Sequence, residues 1–383
     1  LFSWTHGPCR MGLGYLFVKA VYAVSSWDTR FEAFATGGLS LITLALVLWL
    51  KTRALGPLTA LDVVVPALIL SRTQYEIFIG TPNAAHGPLP LLLVVLSPFC
   101  WVLRSAPLRV ALAPVRAFFA AFTGFAMFLV PCLVAMFAAD ALWPPIDPVG
   151  GRAWSVAGAV GCAAAIPLFL IDYQLHSAVA CYQFPHPRPV EYFPFAGLIV
   201  LRPLGLGHVV PGAAVYGVAG FIFAVGLAVT AALRALRRDR TLRSRTVFLF
   251  SGFSLAFVVA TAVGRVCLGT GAAFASRYVA YLLPLWLAAY FLVLEQVAKR
   301  PSLRRPAAVA VALLVALQAL PKDKGGLRWY SEGKSRWRSC YLETKDESGC
   351  NRATGFRVYP VEGAPQVTQM LVYLREHHLN LFK

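Results

Sequence analysis

The stretch GAAVYGVAGFIFAVGLAVTAAL at residues 212–233 carries no charged side chain, and the basic stretch RALRRDRTLRSR follows at once at 234–245. A helix of about 20 apolar residues spans the hydrocarbon core of a bilayer. A core helix of a soluble protein would instead show polar side chains at a spacing of 3.6 residues. Because Lys and Arg accumulate in loops that stay in the cytoplasm, this pair of stretches predicts a transmembrane helix that ends on the cytoplasmic side.

The whole chain has the composition of a membrane protein. Of its 383 residues, 58% are hydrophobic and 14% are charged, whereas about 25% are charged in soluble domains. The formal net charge of +18 comes largely from Lys and Arg in short loops between apolar runs, which is typical of cytoplasmic loops. We therefore reject a nucleic-acid partner and expect membrane lipids around the chain.

Parity assigns a side to each loop. The basic stretches 51–53, 234–245 and 299–305 are taken as cytoplasmic, so an even number of crossings must join the first two. Five apolar stretches between them are clear, so a sixth crossing is needed. Either a helical hairpin at 109–139 or a crossing at 195–207 supplies it, and we favour the hairpin. The prediction is about ten transmembrane helices, at about 35–51, 61–71, 88–103, 108–121, 122–139, 154–172, 211–233, 246–263, 278–297 and 307–320.

The predicted fold is an all-α integral membrane protein, a polytopic helical bundle with a small extracytoplasmic tail. Residues 1–34 are expected to form an extracytoplasmic loop with a helix at the membrane interface. Residues 35–320 form the transmembrane domain, and 321–383 form the tail. The chain opens without an initiator Met or a signal-peptide pattern, so further residues, including a first membrane helix, are expected upstream.

The eight cysteines include no Cys-x-x-Cys pair, which argues against a zinc site. Cys100, Cys132 and Cys162 lie in apolar runs and are interpreted as small core residues. Cys340 and Cys350, with nine residues between them in the polar tail, suit a disulfide outside the cytoplasm. Closing a loop of that size contributes roughly 2–3 kcal/mol.

A polar cluster follows the second predicted helix, in a loop expected outside. It contains Arg72, Gln74, Tyr75 and Glu76, with His86 further on. Arg72 and Glu76 are four residues apart, which suits a simple ion pair at a helix end. Alternatively, the Glu76 carboxylate faces an external cavity and acts as a base or substrate ligand. Both interpretations stay open at this point.

A second cluster, Arg265, Arg277 and Tyr278, lies in a glycine-bearing loop between two predicted helices. One guanidinium group can bind two phosphate oxygens at once, so this loop suits a phosphate or pyrophosphate group. The alternative is that these arginines contact lipid headgroups. The chain contains no Gly-x-Ser-x-Gly, His-Glu-x-x-His or Walker motif, which argues against the hydrolases, metalloproteases and NTPases that depend on them.

The order of several short motifs resembles bacterial multi-spanning proteins of the glycosyltransferase-C type. The motifs are Gln74-Tyr75-Glu76, Gly264-Arg265, Ser276-Arg277-Tyr278, the pair Cys340 and Cys350, and the ending at 379–382. The resemblance implies a bacterial cytoplasmic (inner) membrane and transfer of a sugar from a polyprenyl-phosphate donor on the extracytoplasmic face. In such enzymes an acid of the first outside loop acts as base, and basic groups hold the donor phosphate.

The first outside loop departs from that pattern, because Pro8 stands in the stretch 5–10 where an acid is expected. The acid is then expected upstream, or Asp28, Glu32 or Glu76 must serve; Glu76 is our candidate catalytic residue. The candidate substrate-binding residues are His6, Arg10, Arg72, Gln74, Tyr75, His86, Arg265, Arg277 and Tyr278.

No cofactor is indicated with certainty, and a divalent metal ion is the one candidate retained. The alternative function is a non-catalytic subunit of a larger complex, with membrane protein partners. A transporter ranks third, because neither internal repeats nor polar residues at the bilayer midplane are clear.

Overall fold

The computed structural model describes residues 5–80, 84–144, 151–174, 179–205, 212–237, 240–319, 324–358 and 365–382. Within these ranges the chain is helical almost throughout, apart from a hairpin of two-residue strands, β1 (Thr5–His6) and β2 (Cys9–Arg10). Seven helical segments are long and apolar enough to cross a membrane. The protein is an all-α membrane protein, as predicted from its composition.

The helices are introduced here in chain order. They are α1 (Gly12–Ser25), α2 (Thr29–Leu55), α3 (Val64–Ile69), α4 (Pro88–Leu96), α5 (Ala106–Ala121), α6 (Leu129–Leu142), α7 (Arg152–Ala163), α8 (Ala165–Leu170), α9 (Tyr192–Leu201), α10 (Ala213–Ala235), α11 (Leu242–Arg265), α12 (Val279–Lys299), α13 (Arg304–Ala319), α14 (Lys324–Thr344), α15 (Glu347–Thr354) and α16 (Pro365–Glu376).

The seven long segments account for only part of the ten predicted crossings. They are Thr29–Leu55, Gly124–Leu142, Arg152–Leu170, Ala213–Ala235, Leu242–Leu268, Ser276–Lys299 and Pro301–Ala319. The stretches predicted at 61–71, 88–103 and 108–121 form shorter helices. A ten-residue helical segment rises only about 15–20 Å, less than the roughly 30 Å of a hydrocarbon core. The count of ten stays a prediction.

The boundary between the two arms predicted at 108–121 and 122–139 lies just after α5 ends at Ala121, before a 3-10 turn, Gly124–Phe128, that leads into α6. Gly124 has φ +53°, and a Cβ there would lie 2.9 Å from the carbonyl oxygen of Ala85. Only glycine adopts this conformation readily at such close range. The rival crossing at 195–207 corresponds to α9, which packs along α10; a Cβ on Gly197 would strike the backbone at Gly217.

The centre of the bundle is α12, the most buried of the seven long segments. Pro284 interrupts its hydrogen-bond ladder, because proline kinks a helix and disturbs the preceding turn. A hydroxyl from α11 repairs the break: Ser254 Oγ donates to the Tyr281 carbonyl (2.8 Å) and accepts from the Leu285 N–H (3.1 Å). This is the kind of side-chain repair that makes proline tolerable in membrane helices.

The two ends of the bundle, called the basic end and the tail end, differ in the charged residues they carry. The basic end carries residues 51–62, 140, 234–237, 240–245 and 295–305, and the tail end carries α1, residues 71–80, 266–278 and α14–α16. Three buried carboxylates lie at the basic end, and each pairs with Lys or Arg. The pairs are Lys51–Asp62 (3.0 Å), Arg240–Asp140 (3.4 Å), Arg245–Asp140, Arg234–Glu295 (2.5 Å), Arg243–Glu295 (3.2 Å) and Lys299–Glu295 (2.6 Å).

Candidate functional site

The polar tail folds around a small core of its own. Trp337 stacks on Tyr341 with ring centroids 5.0 Å apart, and its indole N–H donates to Asn351 Oδ1 (2.8 Å). The predicted disulfide between Cys340 and Cys350 is present, joining α14 to α15. The last helix of the tail, α16, is amphipathic, and its Val367, Leu371 and Leu374 are buried.

The tail packs against the membrane domain through α14 and α16. Lys334 Nζ donates to the Ile79 carbonyl oxygen at 2.7 Å, and the rings of Tyr330 and Tyr75 are 6.2 Å apart. The ring of Tyr373 on α16 lies 6.0 Å from that of Trp27, at the start of α2. The tail therefore covers the loop that contains the first predicted cluster.

Glu76 begins a single π-helical turn, Glu76–Gly80. Such turns are rare in proteins as a whole, but those that occur are often found at functional sites. Its backbone N–H donates to Ser276 Oγ (3.1 Å), and its carboxylate Oε2 accepts from the Arg277 N–H (3.2 Å). Two loops 200 residues apart are thereby joined. The structure brings Glu76 and Arg277 together, and their chemical roles stay predictions.

The side chains around this pair differ in exposure. Arg277 is exposed, with its guanidinium carbon 5.7 Å from the ring of the buried Tyr278. Arg72 is also exposed, and the Glu76 carboxylate is bonded to the Arg277 amide rather than to Arg72. A half-buried carboxylate and an exposed guanidinium thus lie beside each other at the tail end.

The tail brings two more titratable groups to this region. Burial raises the pKa of Tyr330, the negative charge of Glu76 raises it further, and the positive charge of Arg277 opposes both. Burial lowers the pKa of Lys334, against the attraction of Glu32. Glu32 is buried at the start of α2 and accepts a hydrogen bond from the Tyr22 hydroxyl at 2.6 Å.

Two predicted ligands are engaged by the protein itself. Gln74 is buried, and its amide donates to the Ile69 carbonyl (2.9 Å) at the end of α3. Arg10 is buried and donates to the Ile171 carbonyl, with its guanidinium 5.7 Å from the Phe122 ring and 5.6 Å from the Phe169 ring. These contacts are those of packed structural residues, so the two side chains are weaker candidates for substrate contact than Arg277.

The remaining candidates, Arg265, His86 and His6, lie in other segments of the chain. Arg265 ends α11, half-buried, and its charge acts on the Cys9 thiol, whose pKa is raised by burial. His86 is half-buried in a 3-10 turn, and His6 lies in β1. Among the described contacts, none joins Arg265 to Glu76 or Arg277.

Sequence reasoning missed a second disulfide, between Cys181 and Cys267, whose Cα atoms are 5.8 Å apart. It ties the loop after α8 to the turn that follows Arg265. Both cysteines fall in loops predicted outside, which is the signal that suggests such a pair in an oxidising compartment. Cys9, Cys100, Cys132 and Cys162 are buried free thiols, which agrees with the core interpretation of the last three. Ser276 lies in a motif but was not singled out as a site residue, and Tyr330 and Lys334 lie in no motif.

No protein family, no curated protein and no solved structure matches the chain. The resemblance to glycosyltransferase-C proteins therefore stays a prediction. Among the side chains that the structure describes, no group of three or more His, Cys, Asp or Glu could hold a metal ion. The residues present do not fit the divalent metal ion considered above, and no step is assigned to one.

Proposed function

We propose that the basic end faces the cytoplasm of a bacterial inner membrane, that the tail end faces outside, and that the chain crosses about ten times. Two independent features support this orientation. The ion-paired Lys and Arg of the basic end follow the positive-inside pattern. Both disulfides, Cys181–Cys267 and Cys340–Cys350, lie at the other end, as expected for an oxidising compartment.

On this orientation we propose that the protein transfers a sugar from a polyprenyl-phosphate donor to an acceptor hydroxyl outside the cytoplasm. The observation that carries the proposal is the Glu76 carboxylate 3.2 Å from the Arg277 amide nitrogen, with the Arg277 guanidinium exposed beside it. A base and a fixed positive charge are the two groups that such a transfer needs.

The reaction then proceeds in one displacement. Glu76 accepts the proton of the acceptor hydroxyl as its oxygen forms a bond to the anomeric carbon of the sugar. The bond from that carbon to the phosphate oxygen breaks, and polyprenyl phosphate leaves with the electron pair. Negative charge grows on the phosphate toward the transition state, so Arg277 stabilises that state more than the bound donor.

The test is Arg277→Ala, compared with Arg304→Ala, an exposed arginine at the basic end. Full-length proteins are purified into lipid nanodiscs and supplied with polyprenyl-phosphate sugars. Loss of one charge-stabilising group typically lowers the rate about a hundredfold or more, so Arg277→Ala should lose transfer while Arg304→Ala keeps it. Unchanged transfer in Arg277→Ala removes that residue from the site, and no transfer by the wild type with any donor tested contradicts the enzyme.

A non-catalytic subunit is the second candidate, and one observation favours it. The Glu76 carboxylate is already hydrogen-bonded to the Arg277 amide, which is also what a purely structural link between two loops requires. This candidate predicts that Arg277→Ala loses no transfer and that its defect, if any, is weaker co-purification of membrane partners. Measuring partner recovery beside transfer separates the two.

A further inference from the structure

The tail contacts the membrane domain next to the proposed site at three points. The Tyr330 ring lies 6.2 Å from the Tyr75 ring, with the two planes at 57°. Lys334 Nζ donates to the carbonyl oxygen of Ile79, inside the π-helical turn that Glu76 begins. The backbone of Gly326 packs against Tyr75, because a Cβ at residue 326 would lie 2.7 Å from the Tyr75 hydroxyl oxygen. The tail is therefore packed on the residue that immediately precedes Glu76.

Tyr330 also lies close enough to Glu76 and Arg277 for both charges to act on it. Burial and the Glu76 charge raise its pKa, so the phenol is neutral at physiological pH and keeps its hydroxyl proton. Tyr330 and Tyr75 are both half-buried, and they place two aromatic rings with hydroxyl groups near a carboxylate and a guanidinium. The Lys334 ammonium lies 5.9 Å from the centroid of the Tyr330 ring. An aromatic body with a polar tip suits a ligand that is part apolar and part hydroxylated.

We propose that the tail completes the site: Tyr330 and Tyr75 form an aromatic wall that contacts the sugar of a lipid-linked donor, while Arg277 contacts its phosphate. This inference rests on the proposed function, because it assigns the two halves of that donor to different residues. The C–H face of a sugar ring packs on aromatic rings, whereas a guanidinium recognises phosphate oxygens. Tyr330 is accordingly a positioning residue that selects sugar-bearing lipids over bare polyprenyl phosphate.

The experiment compares two probes on the full chain in nanodiscs: polyprenyl monophosphate and polyprenyl phosphate linked to a hexose. Tyr330→Ala should weaken binding of the hexose-bearing probe roughly five- to tenfold and leave the bare phosphate unchanged. Tyr330→Phe keeps the ring and should retain most of the preference. Arg277→Ala should weaken both probes. Protease resistance of the tail is recorded for each variant.

Two neighbouring glycines of α14 provide a matched pair that keeps Tyr330 in place. In Gly326→Ala the new methyl group displaces Tyr75, so the preference for the hexose-bearing probe should fall. A Cβ on Gly325 meets nothing within 4 Å, so Gly325→Ala should behave as the wild type. If Tyr330→Ala makes the tail protease-sensitive, this pair decides the question with the tail still docked.

The outcomes separate this inference from the proposed function. Equal weakening of both probes by Tyr330→Ala with an intact tail, or no weakening of either, overturns the aromatic wall. An unchanged preference in Gly326→Ala does the same. If the wild type binds polyprenyl phosphate no better than uncharged polyprenol, the proposed function is contradicted, and the aromatic wall, which rests on it, is contradicted as well.

Discussion

The two ends of the bundle use charged residues differently. At the basic end, Asp62, Asp140 and Glu295 are buried, and each carboxylate is paired with Lys or Arg side chains. At the tail end, Glu76 is half-buried and bonded to a backbone amide and, through its own N–H, to a serine hydroxyl, while the Arg277 side chain stays exposed.

This difference separates charges that hold the structure together from charges that can meet a ligand. A buried carboxylate that pairs with guanidinium groups cannot be removed without leaving those groups uncompensated in a medium of low dielectric constant. A carboxylate that accepts one backbone N–H can be replaced at a smaller cost, because the amide lies where water reaches it. The basic end is therefore the structural anchor, and the proposed site lies at the tail end, where the charged side chains are less buried.

The largest expected effect is that of Asp140→Ala. It removes the ion-pair partner of buried Arg245 and Arg240 and the acceptor of the Trp101 indole N–H, and should cost about 3–5 kcal/mol of stability. Glu76→Ala should cost only about 1 kcal/mol. Thermal unfolding in one detergent measures both variants; equal losses would contradict the distinction between the two ends.

The double substitution Cys340→Ser and Cys350→Ser comes next. Opening the loop should remove about 2–3 kcal/mol from the stability of the tail. The small core around Trp337 still joins α14 to α15. Limited proteolysis of the tail should accelerate while the melting temperature of the helical bundle is unchanged. A bundle that melts earlier would mean that the tail stabilises the tail end as a whole.

Gly217→Ala tests how the helices at the tail end are held. The new Cβ would lie 2.3 Å from the Pro194 carbonyl oxygen, so α9 must shift, whereas a Cβ on Gly226 of the same helix meets nothing within 4 Å. Overpacking of this kind should cost about 1–3 kcal/mol, and Gly226→Ala should cost nothing. Melting temperatures in one detergent compare the two; similar values would show that α9 yields easily.

The smallest effect is expected for Lys299→Ala at the basic end. Its side chain is 61% exposed, and Glu295 keeps Arg234 and Arg243 as partners. An exposed member of such a network contributes about 0–1 kcal/mol, so the melting temperature should change by about a degree or less. A loss as large as that of Asp140→Ala would show that the network acts as one unit.

Some of the fold and of the site could be predicted because the signals are local. Apolar runs identified the membrane class, and two cysteines close in sequence identified the Cys340–Cys350 disulfide. Short motifs singled out Glu76 and Arg277, which the structure brings together. Motifs also singled out Gln74 and Arg10, but their hydrogen bonds to the backbone depend on packing that no motif records.

By itself the sequence determined the membrane class, the side on which basic loops gather and the small disulfide of the tail. Each follows from the transfer free energy or the spacing of residues that are neighbours in the chain. Only the tertiary structure decided that Cys181 pairs with Cys267, that Glu76 meets Arg277 and that Tyr330 covers Tyr75. These partners are 86 to 255 residues apart, and their meeting depends on how the helices between them pack, which local patterns do not encode.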